Sequence, residues 1–412
     1  MMKKYILSIF IASISSISFA QEWESVPSGT ELRLNSISFG SSLVGFIGGN
    51  DSLLLKTTDG GDTWIQQATN GVDFNISLTD IVQVDFLDEN IGFLTIGTTL
   101  YGGQIYKTVD GGANWDLEST WMCSPVRTFN FDENTSFVIG SACFGGKVID
   151  KKENGSWGVN TTYLSWANDY LRAIDFYDDV YGMVAGDGGT VHRTFDGGMH
   201  WDTVETFTDE SILALKFVND STIYGIVDSL LNSFMISTDS GATWASHNSS
   251  LTFFYPKLKA LALTEYGEVI AVGKTDLGNE GFLLWGKEGA TFWNHETVDY
   301  PLHGVAIAED SIAFAVGDSG LIVRNTKLDL DLMENDGLEE ISIYPNPVSD
   351  VLSIRNEKAE IEKVQVFNMQ GKLMRTIDSN FDQIDLSELG TGIYCLTIST
   401  KKNRAVHKLI KR

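Results

Sequence analysis

Short runs of alternating apolar and polar residues recur along most of the chain, and turns rich in glycine, aspartate and asparagine separate them. One kind of run ends in an aromatic or aliphatic residue, as at 37–39 and 174–176. A second kind is small and contains glycine, as at 44–48 and 181–186, and a third leads into a turn, as at 190–193. Alternation with a period of two is typical of half-buried strands. The pattern therefore predicts an all-β chain of short strands.

The turn after the third run places an aspartate five positions before a tryptophan. Four copies contain Asp59 and Trp64, Asp110 and Trp115, Asp196 and Trp201, and Asp239 and Trp244, while two degenerate copies keep Trp157 and Trp293. An aspartate at such a turn accepts backbone N–H bonds, and glycine supplies the positive φ that the reversal needs. The tryptophan then starts the returning strand and buries its ring. Because the aspartate recurs at one turn of each unit, we interpret it as structural rather than as a metal ligand or a catalytic acid.

Four strands in a unit of roughly 45 residues are typical of one β-propeller blade. Seven first strands are predicted, starting at Leu34, Leu78, Val126, Leu171, Ile212, Leu258 and His303. The seventh unit ends at Lys327 without a tryptophan turn, whereas Trp23 near the N-terminus lies in a segment that fits the missing strand. We therefore expect a seven-bladed β-propeller over residues 21–328, with the N-terminal strand completing the last blade.

The repeated units resemble the Asp-box (BNR) repeats of bacterial neuraminidases. The longer pattern, in which an apolar strand and a glycine-containing strand precede the turn, is more similar to the photosystem II assembly and stability factor family. The resemblance covers residues 22–327 and implies the propeller fold. It implies no single function, because one fold carries many functions.

The composition changes after residues 329–340, an acidic and turn-rich stretch that is expected to be a linker. Seven short strands are predicted in residues 341–412, which suggests a small Ig-like β-sandwich. The same residues contain four sequence segments, which include Tyr344, Pro345, Asn346 and Pro347, then Gly371 and Lys372, then Gly390, Gly392 and Tyr394, and finally Lys411.

These segments resemble, in the family's order, the type A C-terminal sorting domain of the type IX secretion system, also called Por secretion. The resemblance implies export across the outer membrane of a Bacteroidota-type bacterium, with the secretion machinery as partner. It also implies cleavage of the domain, which leaves the cargo released or attached to the surface. The alternative is an accessory β-sandwich that binds sugar or protein.

Residues 1–20 carry the features of a secretory signal peptide. Lys3 and Lys4 precede an apolar run at 5–14 that is too short to span a bilayer, and Ala20 offers a small residue for cleavage. The chain is thus expected to be extracellular, secreted or surface-attached, with no stable membrane span. In an oxidising compartment Cys123 and Cys143 either pair or remain two buried thiols, and the sequence leaves both alternatives open.

Charge is distributed unevenly along the chain. The formal net charge of −26 divides into +2 for the signal peptide, −31 for residues 21–340 and +3 for residues 341–412. Nucleic acid is excluded as a partner, because phosphate binding needs clustered lysine and arginine. A hydrophobic content of 43% indicates a globular protein.

Ligands of propellers are expected at the mouth of the central channel. Alignment of the first strands places one column of residues there, which contains Asn35, Asp80, Arg127, Arg172, Leu213, Lys259 and His303. Four of these are potentially cationic within an acidic domain, so the column predicts a pocket for a carboxylate, a sulfated sugar or an acidic peptide. The alternative is that these side chains only hydrogen-bond neighbouring loops.

A sialidase-like enzyme or another glycoside hydrolase acting on extracellular glycans is the alternative function. It would need an arginine cluster, a nucleophile pair and an acid, and no pair of acidic residues stands out by sequence. No metal, phosphate-loop or serine-nucleophile motif is present, so no metal and no cofactor are expected. We therefore favour a binding module for a glycan or protein ligand.

Overall fold

The structure is a computed structural model and describes residues 23–73, 79–98, 102–121, 125–141, 147–165, 170–229, 233–247, 256–264, 267–276, 278–287, 293–309, 312–325, 342–355, 361–368, 373–377, 379, 381, 383–400 and 404–412. The predicted signal peptide, the predicted linker, Cys123, Cys143, Gly371 and Lys372 lie outside the described residues. The chain divides into two units, Met1–Leu328 and Asp329–Arg412.

The first unit consists of four-stranded antiparallel sheets, seven in number among the described residues. Its strands are β1 (Glu24–Val26); β2 to β5 (Leu34–Phe39, Gly45–Gly49, Leu54–Thr57, Ile65–Gln66); β6 to β9 (Thr79–Phe86, Gly92–Thr98, Gly103–Thr108, Asp116–Trp121); β10 to β13 (Pro125–Asn130, Ser136–Ser141, Lys147–Glu153, Ser156–Ser165); β14 to β17 (Leu171–Phe176, Gly182–Gly186, Val191–Thr194, Asp202–Val204); β18 to β21 (Ile212–Phe217, Ile223–Val227, Phe234–Ser237, Ala245–Ser246); β22 to β25 (Lys257–Leu263, Glu268–Lys274, Gly281–Lys287, Asn294–Val298); and β26 to β28 (Leu302–Glu309, Ile312–Gly317, Ile322–Asn325). Two three-residue 3-10 helices, Asp187–Gly189 and Asp318–Gly320, are the helices of the described residues. The all-β prediction is confirmed.

The N-terminal strand completes the last of these sheets. Strand β1 pairs with β28, in a sheet of order β1-β28-β27-β26. Trp23, just before β1, is fully buried and packs edge-on against Trp285 at 6.1 Å between ring centroids. The predicted pairing of the N-terminus with the seventh unit is therefore confirmed.

The tryptophan turns share one hydrogen-bond network. In the first copy the Asp59 carboxylate accepts bonds from Thr57 Oγ1 at 2.7 Å, Thr63 N at 3.0 Å and Thr63 Oγ1 at 2.6 Å. These bonds, chiefly those from Thr63, hold the pKa of Asp59 at about 2. The same bonds from the residues two before and four after the aspartate recur at Asp110, Asp196 and Asp239. The turn network is thus complete within each copy.

The first strands pack against one another across the unit. Strand β2 contacts β6 and β26, and each later first strand contacts the next one in the chain. Polar side chains of one first strand bond the backbone of its neighbour: Ser38 Oγ accepts from Phe86 N at 3.0 Å, and Gln83 Nε2 donates to Thr128 O at 2.9 Å. These strands therefore surround a central cavity lined by their side chains.

The second unit has two antiparallel sheets over one core. Its strands are β29 (Ser342–Tyr344), β30 (Val351–Arg355), β31 (Ile361–Asn368), β32 (Leu373–Ile377), β33 (Ile384–Asp385), β34 (Gly392–Thr400) and β35 (Arg404–Lys411). The sheet orders are β29-β30-β33 and β32-β31-β34-β35. Leu352 and Ile354 of one sheet and Val366 and Leu396 of the other belong to the same buried cluster.

Candidate functional site

A β-bulge near the start of each first strand positions the candidate column. In β2 the register passes from Leu34 to Ser36, which leaves Asn35 as the extra residue. The same bulge occurs at Arg172, Leu213, Lys259 and His303 in four later sheets. A bulge re-aims the side chain of the extra residue. Five column members therefore occupy one structural position.

The strand register corrects the predicted column at two places. In β6 the bulge lies between Ile81 and Gln83, so Val82 takes the column position instead of Asp80. In β10 it lies between Pro125 and Arg127, so Arg127 is one residue beyond it. Sequence alignment gave Arg127 and Arg172 the same position because similar strand segments follow both. The position of a bulge cannot be recognised from the sequence, so the alignment could not show that the two strands differ by one residue.

A cavity of about 850 Å³ nevertheless brings all the candidates together. We call it the mouth cavity. Its lining includes all seven column residues, and six of its side chains are lysine or arginine against three aspartates, namely Arg33, Arg127, Arg172, Lys257, Lys259 and Lys274 against Asp80, Asp228 and Asp318. The lining is thus net positive, in contrast to the net charge of −31 over residues 21–340.

His303 lies at the centre of a charged cluster. Lys259 Nζ lies 3.1 Å and Arg33 Nη2 3.4 Å from His303 Nδ1, while His303 Nε2 lies 2.8 Å from Asp318 Oδ1. Lysine and arginine only donate, so Nδ1 accepts and Nε2 carries the proton that is donated to Asp318. Burial and the positive charge of Lys259 lower the pKa of His303 to about 4. The imidazole is therefore neutral near pH 7.

Lys259 is largely buried and lies near other cations. Burial, followed by the charges of Arg33 and Arg127, lowers its pKa to about 8, although Asp318 opposes this effect. These cations therefore lie close enough to Lys259 to repel it. An anion placed among them would favour the charged form of this lysine.

Some mouth residues already have partners. Arg172 donates to the Asp187 carboxylate through both Nε and Nη2, the latter at 3.1 Å, and Ser211 Oγ donates to the same carboxylate at 2.7 Å. Burial alone would raise the pKa of Asp187, but these bonds outweigh it and lower the pKa. Asn35 Nδ2 donates to Asn50 Oδ1 at 3.0 Å, and Asp80 Oδ1 accepts from Asp51 N at 3.1 Å. Each of these three column residues therefore bonds a residue that follows a second strand.

Other mouth cations have no such partner. Among the described residues, the side chains of Arg127, Lys257 and Lys274 make no hydrogen bond or ion pair. Burial lowers the pKa of Arg127, and Lys257 lies directly opposite Lys274 in the β22–β23 register. Like charges in that arrangement repel. Sequence reasoning missed Lys257 and Lys274, although they lie two and 15 residues from Lys259 and carry the same charge.

A second part of the central cavity, about 290 Å³, is lined along the first strands by side chains that include Arg127, Arg172, Lys216 and Lys259 against Asp85. Lys216 Nζ lies 2.6 Å from Asp175 Oδ1, and Asn130 Nδ2 donates to Asp85 Oδ2 at 2.6 Å. Burial opposes the charge of Lys216, but the Asp175 carboxylate outweighs it and raises the pKa. Burial raises the pKa of Asp85 despite its bond from Asn130. The excess of cations thus extends from the mouth cavity along the first strands.

No metal site is apparent among the described side chains, since no group of three or more histidine, cysteine, aspartate or glutamate residues converges there. No helix of the described residues is long and apolar enough to cross a membrane.

The predicted motif residues of the second unit differ in exposure. Tyr344, Pro345, Asn346 and Gly390 are exposed, whereas Pro347, Gly392 and Tyr394 are half-buried and Lys411 is buried. Tyr394 OH donates to Gly390 O at 2.9 Å, which joins two of the motif segments.

Comparison with known families identifies the second unit. Residues 342–412 match the family described as "Secretion system C-terminal sorting domain". This domain is the type IX export signal, so it directs the chain to the secretion machinery and onward to the cell surface or the extracellular space.

The chain also has similar proteins of known name. It is 29% identical over 239 residues to the photosystem II assembly lipoprotein Ycf48 of Synechococcus sp. (strain CC9902), which covers 47% of this chain and 68% of that protein. It is 26% identical over 85 residues to ulvan lyase NLR42 of Nonlabens ulvanivorans, which covers 20% of this chain and 15% of that enzyme.

Solved structures support the propeller-like fold. YCF48 bound to D1 peptide superposes with a TM-score of 0.57 at 19% identity, covering 74% of this chain and 95% of that one. YCF48 from Cyanidioschyzon merolae gives 0.57 at 18% identity, covering 74% and 99%. The WD40 β-propeller domain of Doa1 gives 0.53 at 11% identity, covering 73% and 94%. The expected resemblance to this propeller family is therefore confirmed, together with that to the sorting domain.

Proposed function

We propose that the first unit is a seven-bladed β-propeller that acts, after export, as an extracellular binding module for an anionic group held in the mouth cavity. The seven four-stranded sheets and the contacts of each first strand with the next support the blade number. Pairing of β1 with β28 supports closure of the ring by the N-terminus.

The observation that carries the binding role is the positive lining of the mouth cavity. Arg127 is half-buried without a partner among the described residues, and desolvation of an unpaired cation is unfavourable. A ligand carboxylate or sulfate would supply the missing partner, and a guanidinium binds either in a two-pronged manner.

The likeness to YCF48 bound to D1 peptide supports a polypeptide as the ligand. That protein binds a peptide on a similar fold. We therefore propose that this chain binds a carboxylate-bearing peptide segment of an extracellular protein. The short similarity to ulvan lyase spans too little of that enzyme to support a hydrolase or lyase role.

The experiment is binding of a labelled hexaglutamate peptide to the chain, measured by fluorescence anisotropy at low and high ionic strength. Replacing Arg127 and Arg172 with alanine is expected to weaken binding at least about tenfold, equivalent to about 1.4 kcal/mol. Since Arg172 is held by Asp187, the single variant Arg127→Ala should account for most of this loss.

The matched control is Lys107→Ala, which removes a cation that pairs with Glu133 at 3.3 Å outside the mouth cavity. It should leave the affinity unchanged. Unchanged affinity in the double variant, or an equal loss in Lys107→Ala, would refute the site. Dextran sulfate that binds through Arg127 while hexaglutamate does not would overturn the peptide assignment.

A further inference from the structure

Exposed apolar side chains occur at one end of the sheet formed by β14 to β17. Tyr177 and Val180, in the loop between β14 and β15, are 48% and 46% exposed, and Phe195, in the turn after β16, is 53% exposed. Tyr177 follows the end of β14, whereas Arg172 of the mouth cavity lies near its start. Five residues along a strand correspond to roughly 17 Å. The exposed apolar side chains are therefore separate from the mouth cavity.

Contacts between the two loops place these side chains together. The backbone of the turn that contains Phe195 donates to Val180 O at 2.9 Å. The Phe195 ring stacks on Tyr181 with 4.7 Å between ring centroids, and Phe217 lies 4.9 Å from Tyr181 and 6.3 Å from Tyr177. Tyr181 itself is buried. Tyr177, Val180 and Phe195 thus lie around Tyr181, and we call these three residues the apolar patch.

The other tryptophan turns do not repeat the apolar patch. In each of the four turns the residue before the aspartate corresponds to Phe195, and the residue whose carbonyl accepts the backbone bond of the turn corresponds to Val180. The corresponding pairs are Thr58 with Leu43, Val109 with Asn90, and Thr238 with Ser221. Both positions are apolar in the Phe195 turn alone among these four. The turn therefore folds without both apolar side chains, and an exposed apolar patch that folding does not require indicates a binding surface.

Carboxylates surround the apolar patch. Asp178 Oδ1 accepts from Tyr181 N at 2.7 Å, and Asp179 beside it is exposed. Burial raises the pKa of Tyr181 to about 12, and the nearby charges of Asp220 and Asp239 on the adjoining sheet add to this rise. The rim of the patch is therefore rich in negative charge.

The charge of the rim determines which kind of partner fits. Arg193 lies beside the patch, with its guanidinium carbon 5.2 Å from the centre of the Phe195 ring, but its Nη1 already donates to Ser240 O at 3.1 Å. A second copy of the chain that docked with the same patch would bring like charges together, and an anionic lipid surface would also be repelled. A segment with apolar and cationic side chains would instead be attracted.

We propose that the apolar patch is a docking surface for a polypeptide segment of a partner protein. An apolar side chain of that segment packs on Tyr177 and Phe195, and flanking lysine or arginine residues pair with the surrounding aspartates. Burial of the exposed aromatic rings favours association, and the charges select the partner. This inference goes beyond the binding role of the mouth cavity and does not depend on the ligand proposed there.

The test is binding of a short labelled peptide of alternating leucine and lysine to the full chain, measured by fluorescence anisotropy. The double variant Phe195→Thr with Val180→Ser introduces the residues found at these positions in another turn, so the turn should still fold. It should weaken binding at least about tenfold, because it removes apolar contact area and leaves the carboxylates in place. A peptide with serine in place of leucine should bind the parent chain at least about tenfold more weakly.

The matched control is Val109→Thr, which removes an exposed apolar side chain from the position that corresponds to Phe195 in another turn. It should leave the affinity unchanged, and the double variant should still bind hexaglutamate as the parent chain does. A second variant, Asp179→Asn with Asp220→Asn, keeps the apolar patch and should weaken binding of the leucine and lysine peptide several-fold at low ionic strength.

Three results would overturn the proposal: full affinity of the double variant, an equal loss in Val109→Thr, or equal binding of the serine peptide. A dimer of the parent chain that the double variant abolishes, observed by analytical ultracentrifugation, would overturn the choice of partner in favour of a second copy.

Discussion

Aspartates of the tryptophan turns and aspartates of the mouth cavity differ in where their partners come from. Asp59 and its three counterparts bond residues two before and four after them, so each network repeats unchanged in its own turn. Asp318 instead bonds His303, on another strand, and faces Arg33 at 3.5 Å. Two residues at the equivalent position of other sheets are Asp187, which accepts from Arg172, and Asn50, which accepts from Asn35. Repetition therefore marks the residues that build the fold, whereas the residues of the mouth cavity vary from sheet to sheet in both side chain and partner.

The largest expected effect concerns the sheet that lacks a tryptophan turn. Trp23 takes the place of the turn tryptophan there and is fully buried. Trp23→Ala is expected to lower the free energy of unfolding by about 3–5 kcal/mol, since it leaves a large cavity beside Trp285. Deletion of residues 21–28 should lower the melting temperature further, because it also removes β1. Calorimetry of both variants provides the measurement, and an unchanged melting temperature would contradict ring closure by the N-terminus.

A smaller effect is expected from a glycine within a tryptophan turn. Gly61 has a φ of +86°, and a Cβ built on it would lie 2.3 Å from Phe314 Cζ. Gly61→Ala is expected to destabilise the chain by about 1–3 kcal/mol through overpacking, in addition to backbone strain. Denaturant unfolding measures this difference.

Gly29 supplies the matched control. Its φ is +75°, but no atom lies within 4 Å of a Cβ placed on it. Gly29→Ala therefore reports the backbone strain alone and should cost less than Gly61→Ala. Equal losses of stability in the two variants would contradict the role assigned to Gly61, which is close packing of the turn against Phe314.

Much of the fold could be predicted from sequence because its signals are local and repeated. The Asp-to-Trp spacing, the glycine-containing second strands and the unpaired Trp23 segment each predicted an element that the structure contains. Trp201 is a partial exception, since it is half-buried while its three counterparts are buried.

The site could be predicted only in part because its register depends on bulges. Arg172, Lys259 and His303 were placed correctly, but Val82 replaces Asp80 in the column and Arg127 is displaced by one residue. Lys274 comes from the end of β23, and only strand pairing reveals that it faces Lys257. Partners such as Asp187 and Asp318 follow the second strand and are equally invisible in an alignment of first strands.

The smallest expected effect is the pH dependence of anion binding at the mouth cavity. The pKa of Lys259 is lowered to about 8, so this lysine is charged below pH 8 and loses its charge as the pH rises through that value. Affinity for hexaglutamate should therefore fall across this range, and binding should take up protons because the anion favours charged Lys259. His303, with its pKa lowered to about 4, stays neutral throughout this range and adds no step.

Lys259→Arg separates this titration from the rest of the site, because arginine remains charged at every pH tested. The variant should bind the peptide with an affinity that is flat between pH 7 and about 9, whereas the parent chain loses affinity over the same range. Titration calorimetry in two buffers of different ionisation enthalpy measures the proton uptake directly. If the affinity of the parent chain is equally independent of pH, the ligand does not reach Lys259. The mouth cavity would then have an occupied part near Arg127 and an empty part at the sheet of β22 to β25, which contains Lys259.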